Sequence, residues 1–205
     1  MQFTLTHYAS EKLPKRDFTQ EDFLKDEALL VRECVANNRL ACKTLYEKYH
    51  PKLLAVSMRY IHNLDDAEDL MQESFITIFE KLGAFKSNSR LSTWLTRIVI
   101  NNSLQFLRKK HPTLLSYEDD WREPVEEDIA EEEIEQFSAN EVLAAIGHLP
   151  TELRVVLCLF SIDGYSHKEV SKSLGITENN SRSRLSRARK QLRIILKRKE
   201  AKHVS

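Results

Sequence analysis

Apolar residues along this chain recur at three- and four-residue intervals rather than alternately, and that spacing predicts helices. In residues 65–82, Leu70, Phe75, Ile78, Phe79 and Leu82 form one stripe, while Asp66, Glu68, Asp69, Gln72 and Glu73 form a polar face. Asp65 and Asp66 open this segment, where carboxylates suit the positive end of a helix dipole. The same periodicity predicts helices at about 39–49, 51–62 and 92–110. A polar loop, AFKSNSRLS, precedes the last of them. The fold class is all-α.

The pattern after residue 138 is sharper. Ser138 stands three residues before Glu141, the spacing of a capping box, and the helix it opens ends at Pro150. Residues 151–163 predict a mostly buried helix that stops at Gly164. Ser166 and Glu169 repeat the capping-box spacing, Gly175 makes a turn, and Thr177 caps a final basic helix. A short helix, a glycine turn and a basic helix together make a helix-turn-helix unit.

At about 100° per residue, Leu185, Ala188, Leu192, Ile195 and Leu196 share one side of that final helix, with Ser181 among them. Asn179, Ser183, Ser186, Arg187 and Lys190 populate the polar side, and Arg182, Arg184, Arg189 and Arg193 its flanks. Arg forks onto guanine and Asn onto adenine in a major groove, and flanking arginines reach phosphates. The competing reading is a solvated amphipathic helix that binds acidic protein.

Composition changes the picture in one respect. The 205 residues are 41% hydrophobic and 30% charged, with four Gly and five Pro, which allows one ordinary domain or two small ones. Thirty-one basic residues balance 31 acidic ones, yet the charges are sorted. The charged positions of residues 118–135 are all acidic except Arg122, whereas those of 182–202 are basic, opposed only by Glu200. The acidic stretch reads as a solvated linker; the other reading, for 126–137, is the charged face of a packed helix. Neutralising contact between this stretch and the basic helix would suppress DNA binding in the free chain. The division is therefore an extension at 1–25, a block at 26–110, a linker at 111–137 and a block at 138–205.

No apolar run reaches the ~20 residues of a spanning helix, and the N-terminus lacks the apolar core of a signal peptide, so a cytoplasmic protein without membrane insertion is expected. Cys34, Cys42 and Cys158 include no C-x-x-C and read as buried thiols rather than a disulfide framework. Glu47 and His50 form a Glu-x-x-His, the motif of helical di-iron proteins, but no second copy occurs. The Cys34 and Cys42 spacing fits no usual zinc pair. No phosphate loop or nucleophile elbow is present. The expectation is a non-enzyme with no metal and no cofactor.

In the helix at 92–110, Arg97, Asn101, Gln105 and Arg108 share an arc of roughly 80°, and Trp94 projects within it. Charge for a backbone beside a ring for stacking is what single-stranded nucleic acid requires. For Trp94 itself, packing with Leu91, Leu95 and Ile98 is the reading its size favours.

The stretches DAEDLMQESF, STWLTRIVINNSLQFLRK and LPTELRVVLCLFSIDGYSHKEVSKSLGITENNSRSRLSRARKQL, in this order, resemble the extracytoplasmic-function sigma factors of bacterial RNA polymerase, in the sigma-70 family. The resemblance implies a region 2-like bundle and a region 4-like helix-turn-helix domain. It implies that Asp66, Glu68, Asp69, Gln72 and Glu73 dock on the clamp helices of the largest subunit of core RNA polymerase, with the second block near the flap of the second largest. It assigns −10 recognition and melting to Lys86, Ser87, Asn88, Trp94, Arg97, Asn101, Gln105 and Arg108. It assigns −35 recognition to Asn179, Asn180, Arg182, Ser183, Arg184, Ser186, Arg187 and Lys190. The linker would thread toward the RNA exit path, and an anti-sigma factor is a further partner of such proteins. Ser171 and Ser181 stand where the family usually has Ala and Val, which implies a slightly looser motif with altered base preference. The alternative function is a stand-alone helix-turn-helix regulator that binds duplex DNA by itself, which would leave the 92–110 arc unexplained.

Overall fold

The computed structural model describes residues 18–110 and 137–203. The acidic stretch, its linker reading and its supposed contact with the basic helix lie outside the described residues, as do residues 1–17. The described residues are helical, in two units.

The first unit contains α1 (Gln20–Lys25), α2 (Glu27–Val35), α3 (Arg39–Ile61), α4 (Leu64–Lys81) and α5 (Leu91–Lys110). Helix α3 is the spine, against which α2, α4 and α5 all pack. Leu45, Leu53 and Tyr60 of α3, Met71 and Ile78 of α4, and Leu91, Leu95 and Val99 of α5 are buried between them. Each such apolar side chain contributes about 1.5–3 kcal/mol by leaving water.

Two expectations need correction here. Residues 39–61 form one helix rather than two, because α3 runs through Pro51. Proline removes one hydrogen bond, but Tyr49 and Leu53 on either side are buried, and their shared packing holds the helix together. The folded unit also starts before residue 26. Thr19 and Asp22 form a reciprocal capping box at α1, and Phe23 is wholly buried against the rest of the core.

The second unit contains α6 (Ala139–Gly147), α7 (Thr151–Leu157), α8 (His167–Leu174) and α9 (Glu178–His203). Both expected capping boxes are formed: Ser138 with Glu141, and Ser166 with Glu169. Gly175, at φ 71°, ends α8 in the left-handed conformation that glycine adopts without a steric penalty. Thr177 Oγ1 accepts from the Asn180 N–H at 3.0 Å, which caps α9. The helix expected over 151–163 is α-helical only to Leu157 and continues as a π-helical turn, Cys158–Ile162. Asp163 caps the end of that turn.

Cys34 and Cys158 are buried, whereas Cys42 is half-buried, and all three are free. Burial pushes the Cys34 and Cys158 thiols up to about 12, which leaves them without nucleophilic thiolate at neutral pH. No described helix is long and apolar enough to cross a membrane.

Candidate nucleic-acid and polymerase interfaces

The polar residues of α5 lie along one exposed row. Leu91, Leu95, Val99, Leu104 and Leu107 face the core, and this leaves Arg97, Asn101, Gln105 and Arg108 exposed. Asn102, one residue round the helix, is turned toward α4 and donates to the Ser74 hydroxyl at 3.0 Å. Trp94 is half-buried, with its ring 5.5 Å from that of Phe85. It packs partly against the core and against Phe85 of the segment before α5. Lys86, Ser87 and Asn88 are exposed on that loop, with Ser87 at φ 56°.

On α4, Glu68, Asp69, Gln72 and Glu73 are exposed, while Asp66 is half-buried and paired with Lys110 of α5 at 2.5 Å. Sequence reasoning missed Ile76, which is 60% exposed although apolar. It lies four residues beyond Gln72 and eight beyond Glu68, so it shares their face, and that spacing was the available signal.

In the helix-turn-helix, Leu185, Ala188, Leu192 and Leu196 of α9 are buried as the wheel implied. Asn179, Arg182 and Lys190 are exposed, and Asn180, Ser183, Ser186 and Arg187 are partly exposed. Arg184 is the exception: at 1% exposure it does not belong to the outward face. It lies three residues after buried Ser181 and four before buried Ala188, so the helix repeat carries it inward.

Ser181 does not bond back to a carbonyl or reach solvent. Its hydroxyl lies 2.9 Å from His167 Nδ1, across from α9 to α8. The His167 ring also stacks on Phe160 at 4.3 Å. One polar contact thus stands where a methyl contact would otherwise join the two helices. Ser171 is half-buried, and its hydroxyl donates to the Lys168 carbonyl at 2.9 Å within α8.

The Glu47 and His50 side chains have partners of other kinds. Glu47 accepts from Gln20 Nε2 at 3.1 Å and pairs with Lys43. His50 joins a cluster of three rings, 4.8 Å from Tyr46 and 6.0 Å from Phe75, which are themselves 4.6 Å apart. Among the described residues no group of three His, Cys, Asp or Glu side chains could hold a metal ion.

Two family models match this architecture: sigma-70 region 2 over residues 45–113, and sigma-70 region 4 over residues 139–192. The ECF RNA polymerase sigma factor SigM of Mycobacterium tuberculosis is 32% identical over 176 residues, covering 84% of this chain and 85% of its own. The RNA polymerase sigma-H factor of Pseudomonas aeruginosa is 27% identical over 183 residues, covering 80% and 90%. Among solved structures, the sigma factor RpoE in complex with the anti-sigma factor NepR from Bartonella quintana is 25% identical, with 76% of this chain and 96% of that chain covered and a TM-score of 0.47. The chain belongs to the extracytoplasmic-function sigma factors of the sigma-70 family. It is a transcription initiation factor whose two helical units correspond to regions 2 and 4.

Proposed function

We propose that three surfaces of this chain divide the work of promoter-specific initiation. The α4 face of Glu68, Asp69, Gln72 and Glu73, with Asp66 at its edge and Ile76 as an apolar anchor, docks on the clamp helices of the largest polymerase subunit. Buried apolar side chains ringed by polar ones carry most of the energy in such interfaces. The second unit docks near the flap of the second largest subunit. The α5 row of Arg97, Asn101, Gln105 and Arg108, with Lys86, Ser87 and Asn88 on its loop, holds the opened −10 strand, and Trp94 fixes that loop rather than stacking on a base. The outward face of α9, Asn179, Asn180, Arg182, Ser183, Ser186, Arg187 and Lys190, reads the −35 major groove. An anti-sigma factor covering these surfaces is the third class of partner.

The observation that carries this reading is the pair of exposed polar faces on separate helical units, α5 and α9. A stand-alone duplex reader needs only the second. The test is transcription in vitro with core RNA polymerase on fragmented genomic DNA, with transcript starts mapped. New starts that share two motifs at fixed spacing are expected. Arg187→Ala should weaken −35 recognition by about 1–3 kcal/mol, and Asn101→Ala should leave core binding intact while impairing strand opening. Failure to bind core, with tight duplex binding by the protein alone, would favour the stand-alone regulator.

A further inference from the structure

Helices α2 and α3 meet at a corner that brings two thiols together. Only Ala36, Asn37 and Asn38 separate the two helices. Each of the three ties the turn back to α2: Ala36 N–H donates to the Arg32 carbonyl at 3.1 Å, Asn37 N–H to the Cys34 carbonyl at 2.9 Å, and Asn38 N–H to the Glu33 carbonyl at 2.9 Å. The Asn38 side chain in turn caps α3, accepting from the Leu40 and Ala41 amides. The corner thus fixes Cys34, in the last turn of α2, against Cys42, in the first turn of α3. The Cys42 thiol donates to the Cys34 carbonyl at 3.9 Å and also hydrogen-bonds the Cys34 thiol. Thiols already in contact across a short corner need little more than a side-chain rotation to reach bonding distance.

The two thiols differ in access. Cys42 is half-buried, whereas Cys34 is 5% exposed within the core. Burial first, and then the neighbouring Cys42, pushes the Cys34 thiol up to about 12, so it stays protonated and does not compete for an oxidant. Cys158, the third thiol, is shut away altogether. It is wholly buried and donates to the Arg59 carbonyl at 3.9 Å, at the contact between the two helical units. There Arg59 Nη2 donates to Asp163 Oδ1 at 2.8 Å, and Arg154 Nη2 donates to the Tyr60 carbonyl at 3.1 Å.

We propose that Cys34 and Cys42 form a redox site, in which a hydroperoxide oxidises Cys42 and Cys34 then closes an intrachain disulfide that staples α2 to α3. The Cys42 sulfur attacks one peroxide oxygen and the O–O bond breaks. A sulfenic acid forms, and the departing hydroxide takes the thiol proton as water. The Cys34 sulfur next attacks the Cys42 sulfur. The S–O bond breaks, and the Cys34 proton leaves with that hydroxyl as a second water. Two thiols thus lose two electrons, and one hydrogen peroxide is reduced to two waters. The staple keeps Cys42 on the reversible rungs of thiol oxidation, because a sulfenic acid consumed by a neighbouring thiol does not advance to sulfinic acid.

The experiment uses the full reduced chain and hydrogen peroxide in small molar excess, with iodoacetamide to block residual thiols and peptide mass spectrometry to locate the bond. Loss of two of the three free thiols is expected, with one Cys34–Cys42 disulfide, Cys158 still reduced and helical circular dichroism unchanged. Dithiothreitol should restore both thiols. The urea midpoint of the oxidised chain should exceed that of the reduced chain, since a cross-link restricts the unfolded ensemble. In Cys34→Ser, Cys42 should accumulate a dimedone-reactive sulfenic acid and then sulfinic acid. In Cys42→Ser, Cys34 should stay a thiol. Circular dichroism of each variant checks that its helices are intact, and the wild-type peptide map decides the pairing without any substitution. Three thiols that persist, a bond to Cys158 or between chains, or sulfinic acid at Cys42 forming as fast in the wild type as in Cys34→Ser would each overturn the proposal. Oxidation of Cys34 in Cys42→Ser would overturn the order of its two steps.

Discussion

The Ser181 hydroxyl and the His167 Nδ1 nitrogen, 2.9 Å apart, form a hydrogen bond that ties α9 to α8 inside the helix-turn-helix. Ser181 is wholly buried, so its hydroxyl has no access to water as a substitute partner. Ser181→Ala should therefore destabilise this unit by about 0.5–1.5 kcal/mol, the net contribution of one such bond. Urea denaturation of the full chain, followed by circular dichroism, measures it.

The same histidine makes stability depend on pH. Burial lowers the His167 ionisation below its usual value, aided by Arg182 and Arg189 and opposed by Glu178. The folded state therefore resists a proton that the unfolded state accepts near pH 6.5. Stability is full above that value and declines as pH falls below it toward the folded-state pKa. Thermal melts from pH 7.5 to 5.5 should show the decline, and His167→Gln should reduce it.

Ile76 offers the cleanest separation of docking from folding. Its side chain is exposed, so Ile76→Lys should change stability by no more than about 0.5 kcal/mol. Affinity for core polymerase should fall about tenfold or more, as for a central apolar anchor. A pull-down titration with purified core provides the measurement. Undiminished binding would remove Ile76 from the proposed interface.

Phe23 tests where the first unit begins. It is wholly buried, although it lies ahead of the block boundary read from the sequence. Phe23→Ala should cost about 3–5 kcal/mol through lost burial and the cavity left behind. A cost below about 1 kcal/mol in denaturant titration would show α1 to be an appendage.

Pro51 makes the opposite prediction. It is exposed within α3, where it withholds one helical hydrogen bond. Pro51→Ala should stabilise the chain by about 1–3 kcal/mol, the helix-propensity gain less the greater freedom of the unfolded chain. A rise in melting temperature checks the sign.

These cases mark where sequence reasoning succeeds. The capping boxes at Ser138 and Ser166 were legible because donor and acceptor lie three residues apart and need no tertiary partner. The outward Asn179, Arg182 and Lys190 of α9 were legible because one helical period sorts them from Leu185 and Leu192. Arg184 was misread because charge suggested exposure while its spacing from Ser181 and Ala188 placed it inward. Pro51 was misread because its local penalty is overridden by packing on both sides. The Arg59–Asp163 contact was not legible at all: its partners are 104 residues apart, and no local pattern couples the end of one helix to a π-helical turn in another unit.

The Tyr60 carbonyl that Arg154 reaches belongs to the last turn of α3, where a helix has no further amide of its own to offer. Water can take that position as soon as Arg154 leaves, and likewise hydrate Arg59 and Asp163. Separation of the units thus exchanges these protein partners for solvent ones. Such a fastening is made of groups that water satisfies equally well, so breaking it costs less than prising apart an apolar contact of the same extent.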